Sequence, residues 1–357
     1  MLINDSSTTS KRSIWPEETR HLWVVGCGGS ILELSDGNFY DDWASALGAN
    51  TLGYRWRPEI AFLPAASLPW RIEHDFAEEF CAAMGTEAVR FFKSGSDALS
   101  CAVRLARAYT GRSYIVTFRQ CYHGTGDTFG PIIWSPEGYT KQDVIVGDFG
   151  QDLPHGWQRA AAIVVEPVPK AIDLPPDGWL QHLREVCDEH GIVLIADEVI
   201  LGYRHSLRGY LDAAGVRAEL RCYGKAMGQG AAISAVSGDL AIMRLLADQV
   251  HFSGTNNGEP LALYIAQATL QEYQRLDVCA TLGIRGNELR FRLEHAGFHT
   301  RGLNSRFEVE LEDKASAVLY CFEHGILFPG FCSMALTHTE EQMTKLVNTL
   351  KEWRDGR

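Results

Sequence analysis

The sequence predicts an α/β fold with a mostly parallel central sheet and a smaller α+β domain formed by the two chain ends. Three observations predict it. Strand-like and helix-like signals alternate through the middle of the chain. The apolar run 192–196 ends at Asp197, as a strand buried on both faces of a parallel sheet would. The strand-like stretch 89–92 passes through the tight turn Ser94-Gly95-Ser96 into helically spaced Ala98, Cys101, Ala102, Leu105, Ala108 and Tyr109. With 357 residues and 46% hydrophobic content, the chain can bury the core that such a fold needs.

In chain order, residues 1–20 read as an arm, flexible or packed on a partner. A hairpin follows, 30–34 and 38–40, turning at Asp36-Gly37, a dipeptide whose second residue accepts the positive φ of a tight turn. Strands are expected at 89–92, 114–118, 162–165 and 192–196. Gly111 stops the helix that begins near Asp97. A crossover helix starts after Pro175-Pro176 and ends at His190-Gly191. From about residue 260 the pattern turns helical, with a strand at 307–311 and a last helix over 340–353. The domains read as 1–60 (arm and hairpin of the small domain), 61–258 (large domain) and 259–357 (C-terminal part of the small domain).

The main chemical clue is Lys225, set between Gly224 and Ala226-Met227-Gly228, together with Asp197 at the end of its apolar run. Either residue alone has an ordinary reading, as a solvated turn lysine or a loop-capping carboxylate. Together they meet the two needs of pyridoxal 5'-phosphate (PLP) chemistry: an amine to hold the aldehyde as a Schiff base, and a carboxylate to keep the pyridine nitrogen protonated. The chain holds 8 Lys against 25 Arg, and the other lysines mostly sit in polar or terminal contexts, which leaves Lys225 the best candidate. Ser94-Gly95-Ser96 offers backbone N–H groups at a helix start, where a phosphate dianion can bind without a lysine. An ordinary Ser N-cap explains the same turn equally well. Tyr122-His123 could stack on a flat ring and orient it, though such pairs more often form hydrogen-bonded corners.

Composition narrows the class. A net charge of −12 argues against a nucleic-acid surface, which needs clustered cations. Nine cysteines without a CxxC pair suit reduced thiols in the cytoplasm and give no zinc spacing. No segment has the roughly 20 apolar residues of a membrane helix, and the start lacks a signal-peptide core. The stretch 23–30 imitates the strand and glycine turn of a dinucleotide-binding unit, but Ile31 occupies the third glycine position and a hairpin follows instead of a helix.

Read in order, SGSDA (94–98), RLARAYTGR (104–112), YHGTGD (122–127), VVEPV (164–168), DEVILGYR (197–204), GKAMGQG (224–230) and GT (254–255) resemble the class III aminotransferases, in particular the glutamate-1-semialdehyde aminomutase branch. The resemblance spans about residues 25–340. It implies the PLP-dependent transferase fold type I, with Lys225 forming the Schiff base and Asp197 pairing with the pyridinium. It also implies that Gly95 and Ser96 bind phosphate, that Tyr122 stacks on the ring with His123 supporting it, and that Glu166 and Val199 complete the cofactor contacts. Thr255 matches a threonine that reaches the neighbouring subunit's phosphate, so a homodimer is implied.

The chain departs from that pattern around its substrate positions. Contractions fall at 58–70, at 128–134 and at 327–333, the last of these lacking a substrate-facing glutamate segment. Pro169-Lys170-Ala171 replaces an asparagine, Leu47 stands in place of a tryptophan, and a usual GH reads Gly53-Tyr54. The expected function is therefore a PLP-dependent aminotransferase acting on a small amine or amino acid and a carbonyl acceptor. An aminomutase, decarboxylase or racemase on the same fold is the alternative, and a non-catalytic binding or scaffold subunit lies behind it. Arg71 and Arg204 are candidate ligands for a substrate carboxylate, or equally structural ion-pair partners.

Overall fold

A computed structural model describes residues 15–19, 21–59, 64–66, 68–132 and 143–356. Most of the expected arm, and part of the contracted segments 58–70 and 128–134, lie outside the described residues. The chain forms two compact units, one from the residues up to Arg57 together with Val278 onward, the other from Pro58 to Asp277. The helix Pro260–Leu276 thus belongs to the larger unit, whereas the sequence reading ends the large domain at 258.

In the smaller unit, β1 (Val24–Gly28), β2 (Ile31–Leu34) and β3 (Phe39–Asp42) form an antiparallel meander. The Asp36-Gly37 turn lies where expected, with Gly37 at φ 81 and the Asp36 side chain accepting from Asn38 N at 3.0 Å. β1 pairs antiparallel with β2, so the glycine turn after it opens a hairpin and not a dinucleotide-binding helix.

The larger unit is built on seven strands: β4 (Ala88–Phe92), β5 (Tyr114–Phe118), β6 (Val144–Gly147), β7 (Ala160–Val165), β8 (Val193–Asp197), β9 (Leu220–Tyr223) and β10 (Ser234–Gly238). Their order is β4-β10-β9-β8-β7-β5-β6, and only β10 runs against the rest. The helices Gly95–Thr110 and Trp179–His190 are crossovers that cover opposite faces of the sheet. Alternation along the strands sorts the core: Ala162, Val164, Val193 and Ile195 pack with Ala98, Ala102 and Leu105 of the first helix, while Ile163, Val165, Leu194 and Ala196 pack with Leu180 and Leu183 of the second. Both faces are buried, which is why these strands read as unbroken apolar runs.

The first crossover helix shows sequence-coded ends. Ser94 caps it by accepting from Asp97 N at 3.2 Å, and Gly111 closes it in the left-handed region at φ 67. In the smaller unit the chain returns through the helix Val278–His295 to β11 (Thr300–Leu303) and β12 (Arg306–Val309). β12 also pairs with β14 (Phe331–Ser333), and β13 (Ile326–Leu327) adds parallel to β3. The last helix, Glu340–Asp355, starts with a capping box between Thr339 and Gln342.

Candidate active site

Because six of the seven strands run in one direction, their carboxyl ends share one edge of the sheet. Open α/β sheets form their ligand crevices along that edge. β4 leads there into Lys93 and Ser94, β5 into Tyr122 and His123, β7 into Glu166, β8 ends on Asp197, and β9 leads into Lys225. A cavity of about 210 Å³ opens at this edge. Its lining includes Gly95, Ser96, Tyr122, Glu166, Asp197, Val199 and Lys225, residues as far as 130 positions apart in sequence.

Asp197 sits next in the alternation after Val193 and Ile195, and it is buried. One of its oxygens accepts from Val199 N at 3.1 Å, and the other lies 2.7 Å from His123 Nδ1. A proton on Nδ1 would be donated to this carboxylate oxygen, which accepts. His123 is fully buried against Phe129 and does not line the cavity; it serves Asp197 directly, whereas the resemblance implied support of a Tyr122 stack. Tyr122 is 45% exposed and lines the cavity.

Glu166 is the second buried carboxylate of the cavity. It accepts from Lys170 N at 2.8 Å and from Tyr122 N at 3.3 Å. Burial pushes its pKa up to about 7, and the negative charge of Asp197 adds to the rise while His123 and Lys225 oppose it. The left-handed backbone of Lys170 and Ala171, at φ 57 and 64, bends the chain so that Lys170 N can point back to the carboxylate. Lys225 itself is left-handed at φ 44, a conformation that costs energy outside glycine and clusters at functional sites. It opens the short 3-10 turn Lys225–Gly228 directly after β9.

The turn at the helix start is packed without slack. A Cβ on Gly95 would stand 3.2 Å from both methyls of Val199, and one on Gly124 would stand 2.3 Å from Ser96 Oγ. Ser96 Oγ accepts from Thr125 N at 3.1 Å, and Ser234 Oγ donates to Ser94 O at 2.6 Å. Thr125 and Ser234 therefore hold the turn, a role invisible in the sequence because both partners lie on remote segments.

Other sequence candidates fall elsewhere. Thr255 is exposed and lines a different cavity, of about 460 Å³, with Trp70, Glu73 and His74. Arg71 is exposed and pairs with Asp75 at 3.2 Å, and Arg204 is fully buried; neither lines the smaller cavity. Lys93, grouped by the sequence reading with the lysines expected mostly in solvent, lines it instead.

The family model for class-III aminotransferases matches residues 15–141 and 151–350. The chain belongs to the class-III aminotransferase family. A glutamate-1-semialdehyde 2,1-aminomutase from Nitratidesulfovibrio vulgaris is 34% identical over 309 residues, covering 77% of this chain and 72% of the relative. The fold matches the PLP internal aldimine form of the FumI protein of Sphingopyxis sp. MTA144, with TM-score 0.85 and 21% identity over 100% of this chain and 92% of that one. It also matches a glutamate-1-semialdehyde aminomutase from Pseudomonas aeruginosa PAO1, with TM-score 0.83 and 21% identity over 94% and 87% of the two chains. The protein is thus a PLP-dependent enzyme of the aminotransferase or aminomutase type, with the PLP-dependent transferase fold that the resemblance implied. No helix among the described residues is long and apolar enough to cross a membrane.

Proposed function

We propose that this chain is an aminotransferase that moves an amino group from a small amine or amino acid to a carbonyl acceptor, with PLP held by Lys225 as a Schiff base. The observation that carries the reading is the convergence of Lys225, buried Asp197 and the Ser94–Ser96 helix start on one small cavity. When bound, PLP supplies an aldehyde for amines and a pyridinium ring that withdraws electrons from a neighbouring C–H bond.

The donor set suits that group. Asp197 takes its hydrogen bonds from His123 and Val199 N, is out of water, and offers a negative charge to a cationic ring nitrogen. The N–H groups of residues following Ser94, with Ser96 Oγ beside them, suit a phosphate dianion. Tyr122 and Val199 would flank the ring, and Glu166 would sit on its hydroxyl side. Lys225 is the amine of the site able to take a proton from a substrate carbon and return one. His123, with Nδ1 2.7 Å from Asp197, holds that carboxylate in place.

Contractions at substrate positions support transamination of a substrate other than that of the aminomutase relatives. The 34% identity to one of those relatives favours aminomutation as the second reading. We further infer a homodimer in which Thr255, outside its own subunit's cofactor cavity, serves the neighbour's phosphate. Nine free cysteines support a cytoplasmic setting. A panel of amino acids and diamines, each tested with the PLP-loaded protein for release of a carbonyl product and then for transfer to a keto acid, tests the function. Release and transfer support transamination. Isomerised substrate without release supports the aminomutase.

A further inference from the structure

Among the described residues lining the cofactor cavity, the only cations are Lys225 and Lys93. If Lys225 is committed to the cofactor aldehyde, as the proposed function holds, Lys93 is the one cationic side chain left among the described lining residues. Lys93 directly precedes the N-cap Ser94, so it stands between the end of β4 and the helix start. Its Nζ lies 2.7 Å from Glu259 Oε1, with both side chains mostly sheltered, at 24% and 20% exposure.

Glu259 is not a free counter-ion. It is the N-cap of the helix Pro260–Leu276 and accepts from Leu261 N at 2.9 Å and Ala262 N at 3.1 Å. That helix therefore anchors the carboxylate, and the carboxylate restrains the lysine. A lysine ammonium has three donors on a flexible stem, so it can keep one bond to Glu259 and turn another toward a ligand.

We propose that Lys93 is the anion-recognising side chain of this site and that Glu259 attenuates its charge, so the pair sets how strongly the cavity holds an oxyanion. Two oxyanions share that chemistry, the phosphate of PLP and the carboxylate of an acidic amino donor. A pair that merely fastened two segments would lose function whichever partner was changed. An attenuated cation responds with opposite signs.

The test measures binding of PLP, of pyridoxal without its phosphate, and of inorganic phosphate as competitor, in the wild type, Lys93→Met, Lys93→Arg and Glu259→Gln. Glu259→Gln keeps an oxygen for the helix cap. Lys93→Met should weaken oxyanion binding roughly three- to tenfold, Lys93→Arg should restore most of it, and Glu259→Gln should tighten it by a similar factor. If the oxyanion is the phosphate, these shifts appear with PLP and inorganic phosphate and vanish with pyridoxal. If it is a donor carboxylate, PLP binding stays level and KM for acidic donors moves instead, with that for diamines unchanged. Weakening in both Lys93→Met and Glu259→Gln, or no shift for any ligand, overturns the proposal. Failure of the wild type to form a Lys225-dependent PLP band would instead sink the underlying reading of the cavity.

Discussion

His123 Nδ1 lies 2.7 Å from Asp197 Oδ2, with the imidazole completely buried and the Asp197 side chain 4% exposed. A buried charge persists only where its neighbours compensate it. Here one histidine and one backbone N–H hold the Asp197 carboxylate at the end of a strand, facing a cavity.

Asp197→Asn keeps the size of the side chain and removes its charge. The rate of amino-group release from a donor should fall about 10²–10³-fold, the scale for losing a preorganised electrostatic contact. His123→Phe keeps a ring in the same space and removes one bond to the carboxylate, so the loss should be nearer tenfold (~1.4 kcal/mol). Single-turnover kinetics on the PLP-loaded variants separate the two.

Glu198, beside Asp197, is fully buried and accepts from Tyr210 N at 2.9 Å and Leu211 N at 2.8 Å. Burial pushes its pKa up to about 8 from an ordinary 4.5, against the lowering effect of those two bonds. The folded protein therefore binds this proton more tightly than the unfolded chain. The stabilising contribution is complete below 4.5 and is lost as pH rises through about 8. Glu198→Gln removes the titration, so the difference in Tm between variant and wild type should move in the variant's favour from about pH 5 to about pH 9. Thermal melts across that range check the sign.

Gly124 is at φ 82, and a Cβ there would meet Ser96 Oγ at 2.3 Å and Ser96 Cα at 2.9 Å. Gly124→Ala should displace the helix start and weaken PLP binding roughly tenfold or more, since left-handed strain alone costs on the order of 1–3 kcal/mol. Adding Ser96→Ala should restore little, because the clash with the Ser96 main chain remains. Equilibrium PLP titration measures both.

Much of this was legible in the sequence. Strand 114–118 appears as predicted, and the helix ends at Ser94 and Gly111 follow from cap chemistry. Asp197 and Lys225 could be read because each required property, a buried strand end and a lysine in a glycine turn, is local. The bond between His123 and Asp197, the Ser96–Thr125 bond and the Lys93–Glu259 pair could not be read, since they join segments 74, 29 and 166 residues apart. Lys93 escapes a sequence reading for that reason: nothing local shows that the residue after Phe91-Phe92 lines the cavity at the sheet edge. The boundary at 258 follows the start of a helical pattern, which does not reveal that the helix Pro260–Leu276 packs on Arg71–Met84 within the larger unit.

A shared site makes a prediction of its own. If Thr255 serves the neighbouring subunit, mixing Lys225→Ala subunits with Thr255→Ala subunits creates dimers in which one site has both groups intact. PLP affinity at that site should match the wild type. Mixed dimers that retain weakened binding at every functional lysine would place Thr255 outside the partner's site.

The most direct measurement is the visible absorption spectrum of the purified protein titrated with PLP, compared with Lys225→Ala, before and after adding amino donors. The account predicts a Lys225-dependent band that bleaches to the spectrum of the aminated cofactor with at least one donor. An identical PLP spectrum in wild type and Lys225→Ala would contradict it.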